Sequence, residues 1–377
     1  MGLENVMKIM SDLVEFDTTN KPGNEKPAAQ YIASYLKSFG FDVELQEIDD
    51  NRANVVARIG CSENKLILTG HLDVVPAGDG WTHTPFRVTE ENGRLFGRGV
   101  VDMKGAISCM IEAATRVVRD SSMDDLELIL LFVADEEIDG LGSKHFLDTY
   151  VNGKRNMVVI GEATNNQINI AHRGVVRFKV EIFGKQCHAG QPENGINAIT
   201  QMAKFIVAIE EENERKKNDK IDILPAPTVA VTGCNGGIKN NIITAYSSCI
   251  LDFRTIPGED VQKLQRDLEV ILNGLFEGSE VTWKATPFIE VKPAMTPADS
   301  DLKLCAEEAC KKVLHKEPEV TYFPACCDMS WFSQAGFDAL ILGPGSIKQA
   351  HTIDEYIEIS ELEKAVEIYK QMILQFK

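Results

Sequence analysis

A chain of 377 residues can hold two domains with sizeable cores, and 44% hydrophobic with 25% charged residues are ordinary globular proportions. A formal charge of −18 argues against nucleic acid or an anionic membrane as a partner. No apolar run approaches the roughly 18 residues of a membrane span, and nine cysteines without a C-x-x-C pair predict free, mostly buried thiols in a reducing cytoplasm.

Residues 2–16 mix Leu, Val, Ile and Met with acids and lysine at helical spacing, which predicts a helix and not a signal peptide. A second helix is expected over Glu25–Phe39, ended by Gly40. Strands fit 42–48, 54–59 and 65–68. After a Gly-rich loop to Gly99, a helix fits 102–118 with Asp102 as its N-cap. Strand 127–133, helix 141–149 and strand 157–160 continue the alternation. From Val175 the order becomes strand 175–183, helix 196–216, strands 228–232 and 245–255, helix 259–276 and strand 280–286. That is β-α-β-β-α-β, a ferredoxin-like α+β unit. Further α/β signals at 302–314, 339–342 and 361–376 make it an insertion. The expected domains are therefore 1–174 with 287–377, discontinuous, and 175–286 between them.

Four apolar stretches of the larger domain run straight into metal-competent side chains. Leu66–Leu68 leads to His71, Leu128–Ala134 to Glu136 and Glu137, Met157–Ile160 to Glu162, and Leu340–Leu342 toward His351. Continuous apolar runs of this length read as strands buried on both faces, hence an α/β fold with a mostly parallel sheet. Ligand sites of such sheets lie beyond the carboxyl ends of the strands. Residues spread over nearly the whole chain should therefore meet at one sheet edge.

The chemistry expected there follows from residue type. His71 is a candidate zinc ligand, and Asp73 either orients it or supports the catalytic group. Asp102, in Gly97-Arg98-Gly99-Val100-Val101-Asp102, suits a carboxylate shared by two metals. Glu136 and Glu137 are neighbours and point in different directions, so one can hold metal while the other deprotonates water. Glu162 and His351 complete two sets of one histidine and one carboxylate around a shared aspartate, with coordination left open for water. Singly, each has a plain alternative: a loop histidine, an N-cap, a solvated acid pair. Their common position at strand ends favours the site.

The motifs Gly70-His71-Leu72-Asp73, Asp102-Met103-Lys104-Gly105, Asp135-Glu136-Glu137, Gly161-Glu162-Ala163-Thr164 and Gly343-Pro344-Gly345 to His351-Thr352 resemble the dinuclear zinc amidohydrolases. That family includes acetylornithine deacetylase, succinyl-diaminopimelate desuccinylase, aminoacylases and glutamate carboxypeptidases. The resemblance implies His71 and Glu162 on one zinc, Glu137 and His351 on the other, and Asp102 bridging, with cobalt or manganese as substitutes. It implies Glu136 as general base and then acid, Asp73 supporting it, and a cis peptide at Asp102–Met103. The insertion resembles the family's lid and dimerisation domain, which implies a homodimer whose His188 stabilises the oxyanion in the partner's site. It also implies Asn240, Asn241 and Arg254, with Arg173 as a weaker candidate, as readers of a substrate carboxylate. For Arg254 the plain alternative is an ion pair within the lid.

Leu342 to His351 and Gln191 to Ile199 look closest to acetylornithine deacetylase. Ala325-Cys326-Cys327-Asp328 departs from the Thr or Glu usual near the scissile amide, and the adjacent cysteines suit packing. The leading expectation is a zinc-dependent deacylase of small N-acylated amino acids. The alternatives are the desuccinylase, a di-/tripeptidase or carboxypeptidase of the same fold, and a metal-dependent binding protein without turnover.

Overall fold

The computed structural model describes residues 2–150, 152–219, 221 and 223–376; the domain ends expected at Met1 and Lys377 lie outside them. Two compact units emerge. The first takes in the chain up to Ala171, Met295–Phe323 and the chain from Cys327; the second is His172–Ala294 with Pro324–Cys326.

The chain opens with α1 (Gly2–Glu15), α2 (Lys26–Lys37), β1 (Asp42–Glu47), β2 (Ala53–Ile59) and β3 (Asn64–His71). Next come α3 (Lys104–Asp120), β4 (Glu127–Val133), α4 (Leu141–Thr149), β5 (Arg155–Ile160) and β6 (Ile168–His172). β7 (Gly174–Phe183), α5 (Ala198–Lys216), β8 (Thr228–Gly236), β9 (Tyr246–Thr255), α6 (Val261–Phe276) and β10 (Thr282–Val291) build the second unit. The first resumes with α7 (Asp301–Leu314), α8 (Met329–Gln334), β11 (Asp338–Ile341) and α9 (Ile359–Phe376).

The main sheet runs β1-β2-β4-β3-β5-β11-β6. β4, β3, β5 and β11 are parallel, while β1 and β2 are antiparallel. The four parallel strands are those with unbroken apolar runs, and Ile67, Leu68, Ile129, Leu130, Val158 and Leu340 are all fully buried. Each such side chain contributes roughly 1.5–3 kcal/mol. α3 lies against β3, with α1 and α9 on its other sides, and is buried almost all round. Gly161 lets its first turns bed against the strand ends: a Cβ there would come within 2.7 Å of Met110 Cε and 3.0 Å of Met103 Cε. The residue just before α3, Met103, is thereby held at the sheet edge, and Asp102 with it.

In the second unit the sheet order is β8-β9-β7-β10, antiparallel throughout. α5 and α6 share one core with it, including Phe178, Phe205, Leu251 and Leu268.

Several bounds differ from the sequence reading. Asp102 is not the N-cap of α3; Met103 holds that position and no side chain caps it, because the Asp102 carboxylate is bonded elsewhere. The strand expected over 280–286 runs from Thr282 to Val291: Pro287, which reads as a stop, sits at an irregularity in the pairing of this edge strand with β7, where proline is tolerated. β6 was not anticipated, nor was a small sheet of Thr89–Glu91, Arg94–Phe96 and Tyr356–Glu358. Three-residue strands carry too little periodicity to be read.

His172, at the end of β6, is fully buried; its Nδ1 lies 2.9 Å from the Arg173 carbonyl oxygen and its Nε2 has no partner. Burial pushes the imidazole down to about 4. The unfolded chain protonates near 6.5. Its contribution is therefore complete above about pH 6.5 and is lost as pH falls toward 4, roughly 3 kcal/mol in all. Urea titrations at pH 7 and 4.5 should show a smaller loss of stability in His172→Gln than in the parent; equal losses would contradict this.

Candidate metal centre

His71 is the last residue of β3, and its ring is 1% exposed. Nδ1 lies 2.8 Å from the Asp73 carbonyl oxygen. Nε2 lies 2.9 Å from Asp102 Oδ1 and 3.8 Å from Glu162 Oε1. His351 sits in a left-handed conformation, φ 62°. Its Nε2 lies 3.1 Å from Asp102 Oδ2 and 3.0 Å from Glu137 Oε1. The two Asp102 oxygens thus face different histidines. His71, Asp102 and Glu162 form one group with metal-ligand spacing and Asp102, Glu137 and His351 a second, the ligand atoms of each within 4.8 Å of one another. Glu136 belongs to neither group.

The donor chemistry fits divalent cations. With Nδ1–H donating to the Asp73 carbonyl, Nε2 of His71 is a lone pair facing carboxylate oxygens, which are acceptors. Only a proton or a cation satisfies that arrangement. Burial pushes Glu136 up, opposed by the His71 charge and reinforced by Glu162. Burial also pushes Glu162 up, with the Asp102 charge adding to it. Hydrogen bonds that its ring N–H donates to the Asp102 and Glu137 carboxylates raise His351 to about 10. For Asp102, burial works upward, yet His351 and His71, when protonated, outweigh it through hydrogen bonds and charge and hold the carboxyl low. The raised Glu136, Glu162 and His351 all ask for positive charge between these carboxylates.

Residues 67–375 match Peptidase family M20/M25/M40. The chain belongs to this family. It is 32% identical over 355 residues to an acetylornithine deacetylase of Proteus mirabilis (strain HI4320), covering 92% of this chain and 88% of that protein. Its fold is that of aminopeptidase PepT from Bacillus cereus, with a TM-score of 0.84 at 18% identity over 99% of this chain and 98% of that one. An M20 family metallo-carboxypeptidase from Sulfolobus solfataricus superposes with a TM-score of 0.79 at 21% identity, over 98% of this chain and 99% of that one. As a member of this family the protein is a metal-dependent hydrolase.

Two buried carboxylates outside both ligand groups hold this M20 site by its backbone. Asp73 accepts the N–H groups of Glu136 and Glu137, each at 3.1 Å, so one side chain fixes both acids. β4 ends at Val133, and Asp135, at φ 66°, turns the chain to bring those N–H groups round. Asn20 Nδ2 in turn donates to Asp73 at 3.1 Å and Asp135 at 2.9 Å, and Arg52 pairs with Asp135. Glu355 is the second anchor. Its Oε1 accepts N–H groups of Gly99 at 3.0 Å, Val101 at 2.8 Å and Asp102 at 3.2 Å, and its Oε2 meets Arg98 at 2.6 Å. Sequence reasoning missed Asn20, Arg52 and Glu355. Asn20 sits in what reads as a plain turn, and Glu355 in Asp354-Glu355 reads as solvated surface. Asp328, next to the Cys326-Cys327 pair, is buried beside the site, accepts a hydrogen bond from Ser143 Oγ at 2.6 Å and is pushed by burial up to about 6.

The remaining candidates belong to the second unit. His188, exposed, accepts the Gly190 N–H at 3.0 Å, and its short strand pairs with Ile242–Ile243. Asn240 and Asn241 are exposed; the Asn241 carbonyl accepts the Ala189 N–H at 3.0 Å. Arg173 Nη1 lies 3.2 Å from the Ala226 carbonyl oxygen. Arg254 Nε lies 2.8 Å from Asp252 Oδ1, so the ion pair weighed as its alternative is made.

Glu355→Gln leaves the buried Arg98 charge without its counter-ion. It should lower the unfolding free energy by roughly 3 kcal/mol, the scale of a buried pair that loses one partner. Urea denaturation reads this directly, and an unchanged midpoint would contradict the anchoring role.

Proposed function

We propose that this M20 protein removes the acyl group from small N-acylated amino acids, with N-acetylornithine the first substrate to test and succinyl-diaminopimelate the second. The observation that carries the reading is the division of labour among the acids. Asp102 is shared by two ligand groups, and Glu136 is half-buried beside them while belonging to neither. The substrate is supported by the acetylornithine deacetylase relative at 32% identity.

In this reading His71 and Glu162 would hold one zinc ion, Glu137 and His351 the other, and Asp102 both. Such ions supply, when bound, Lewis-acid activation of water and of the amide carbonyl. Glu136 accepts the proton of the attacking water and delivers it to the amine nitrogen as the C–N bond breaks. The products are a carboxylate and a free amino acid. Its anchorage matters here: the Glu136 N–H is tied to Asp73, so the carboxylate pivots about a fixed backbone. His188 would donate to the developing oxyanion in the partner of a homodimer, and Arg254, Asn240, Asn241 and Arg173 would read the substrate carboxylate. Exposed apolar side chains on the second unit's helices, Val207 at 58% and Val270 at 72%, support a subunit contact there.

A di- or tripeptidase is the second reading. It needs an acid for the substrate's free α-amine, and buried Asp328 is of the right kind.

Initial rates on N-acetylornithine, succinyl-diaminopimelate and a dipeptide panel, with added zinc or cobalt, separate these readings. Turnover should be fastest on N-acetylornithine; preference for unblocked dipeptides would favour the peptidase, and no turnover with metal bound would sink the enzyme reading. Glu136→Gln should keep metal, measured by elemental analysis, while kcat falls by roughly 10²–10⁴. Retained activity would refute Glu136 as the base.

A further inference from the structure

Cys234 on β8 and Cys249 on β9 are directly opposite each other in an antiparallel ladder. A bulge between Val231 and Gly233 sets that register; without the extra residue, Gly233 would oppose Cys249. Which kind of pair they form follows from the other edge of β9. The Gly184 N–H donates to the Ala245 carbonyl at 2.8 Å, which makes 184 and 245 a hydrogen-bonded pair of β7 and β9. Pairing is regular from there, so Cys249 also spends its N–H and C=O on β7, opposite Val180. Toward β8, Cys249 is therefore a non-hydrogen-bonded position. Cα atoms of such pairs lie about 4.5 Å apart, with the side chains on one face and close. That spacing is inside the roughly 4.4–6.8 Å window of disulfides.

We propose that Cys234 and Cys249 are a thiol pair built to close into a reversible disulfide. Both are free thiols in this structure. Cys234 is exposed, so it meets an oxidant first, whereas Cys249 is 1% exposed at the edge of the core. The oxidant is a low-molecular-weight disulfide. The Cys234 thiolate attacks it, its S–S bond breaks, one small thiol leaves and a mixed disulfide forms. Cys249 then gives up its proton and attacks the Cys234 sulfur, releasing the second small thiol. Two protein thiols are oxidised and one small disulfide is reduced to two thiols. Burial pushes the Cys249 thiol up to about 12, so ring closure is the slow step and accelerates with pH. The closed loop contains Asn240, Asn241 and the Ile242–Ile243 strand that pairs with His188, so oxidation would tie the base of that hairpin.

The test treats the intact, folded, reduced protein with oxidised glutathione, alkylates remaining thiols and maps peptides by mass spectrometry without reduction. The expected product is a Cys234–Cys249 linked peptide that dithiothreitol reverses. Cys249→Ser should instead accumulate the mixed disulfide at Cys234. Exposed Cys61 serves as the internal control for reagent reactivity. Modification of Cys61 without a 234–249 link overturns the proposal, whether Cys234 remains a free thiol or stops at the mixed disulfide.

Discussion

Buried negative charge at one sheet edge is the constraint around which the first unit is organised. Asp102, Glu162 and Asp73 are nearly or wholly buried there, with Glu136 beside them. Carboxylates in a low-dielectric setting repel each other and lose hydration, which costs several kcal/mol per ion unless opposite charge is supplied. Two imidazoles are not enough: Glu136 and Glu162 are still driven toward their protonated forms. A pair of divalent cations would resolve the conflict, and the acids and histidines do fall into two groups that could hold them.

That arrangement requires loops that do not move. The parallel strands deliver the ligands, but every ligand except His71 lies beyond the last strand residue. Hydrogen-bonded carboxylates do the holding. Asp73 gathers the Glu136 and Glu137 N–H groups, and Glu355 gathers those of Gly99, Val101 and Asp102. Glu355 also lies four residues beyond His351, so it couples the loop of the shared aspartate to that of one histidine. Acid residues here thus serve two purposes, some facing the metal positions and others clamping backbone.

The parallel strands and the two candidate ligand groups were legible because they rest on strong signals. Runs such as Leu128–Val133 have no polar interruption, and each ends near a metal-competent residue. The β-α-β-β-α-β order of the second unit was equally readable from alternation and helix spacing. Asp102 as an N-cap was not, because side-chain partners come from residues distant in sequence. Asn20 bonds to a residue 115 positions away and Glu355 to one 257 positions away. Nothing local distinguishes such residues from turn or surface positions. The bulge that brings Cys234 opposite Cys249 is likewise a property of pairing and not of either strand alone.

The shared Asp102 is the centre of this account, and anomalous X-ray diffraction at the zinc edge tests it most directly. Crystals of the zinc-loaded protein should show two peaks about 3.5–4 Å apart, the spacing of two-metal hydrolase sites. The Asp102 carboxylate should lie between them, with His71 and His351 on opposite sides. A single peak, or two peaks not flanking Asp102, would contradict it.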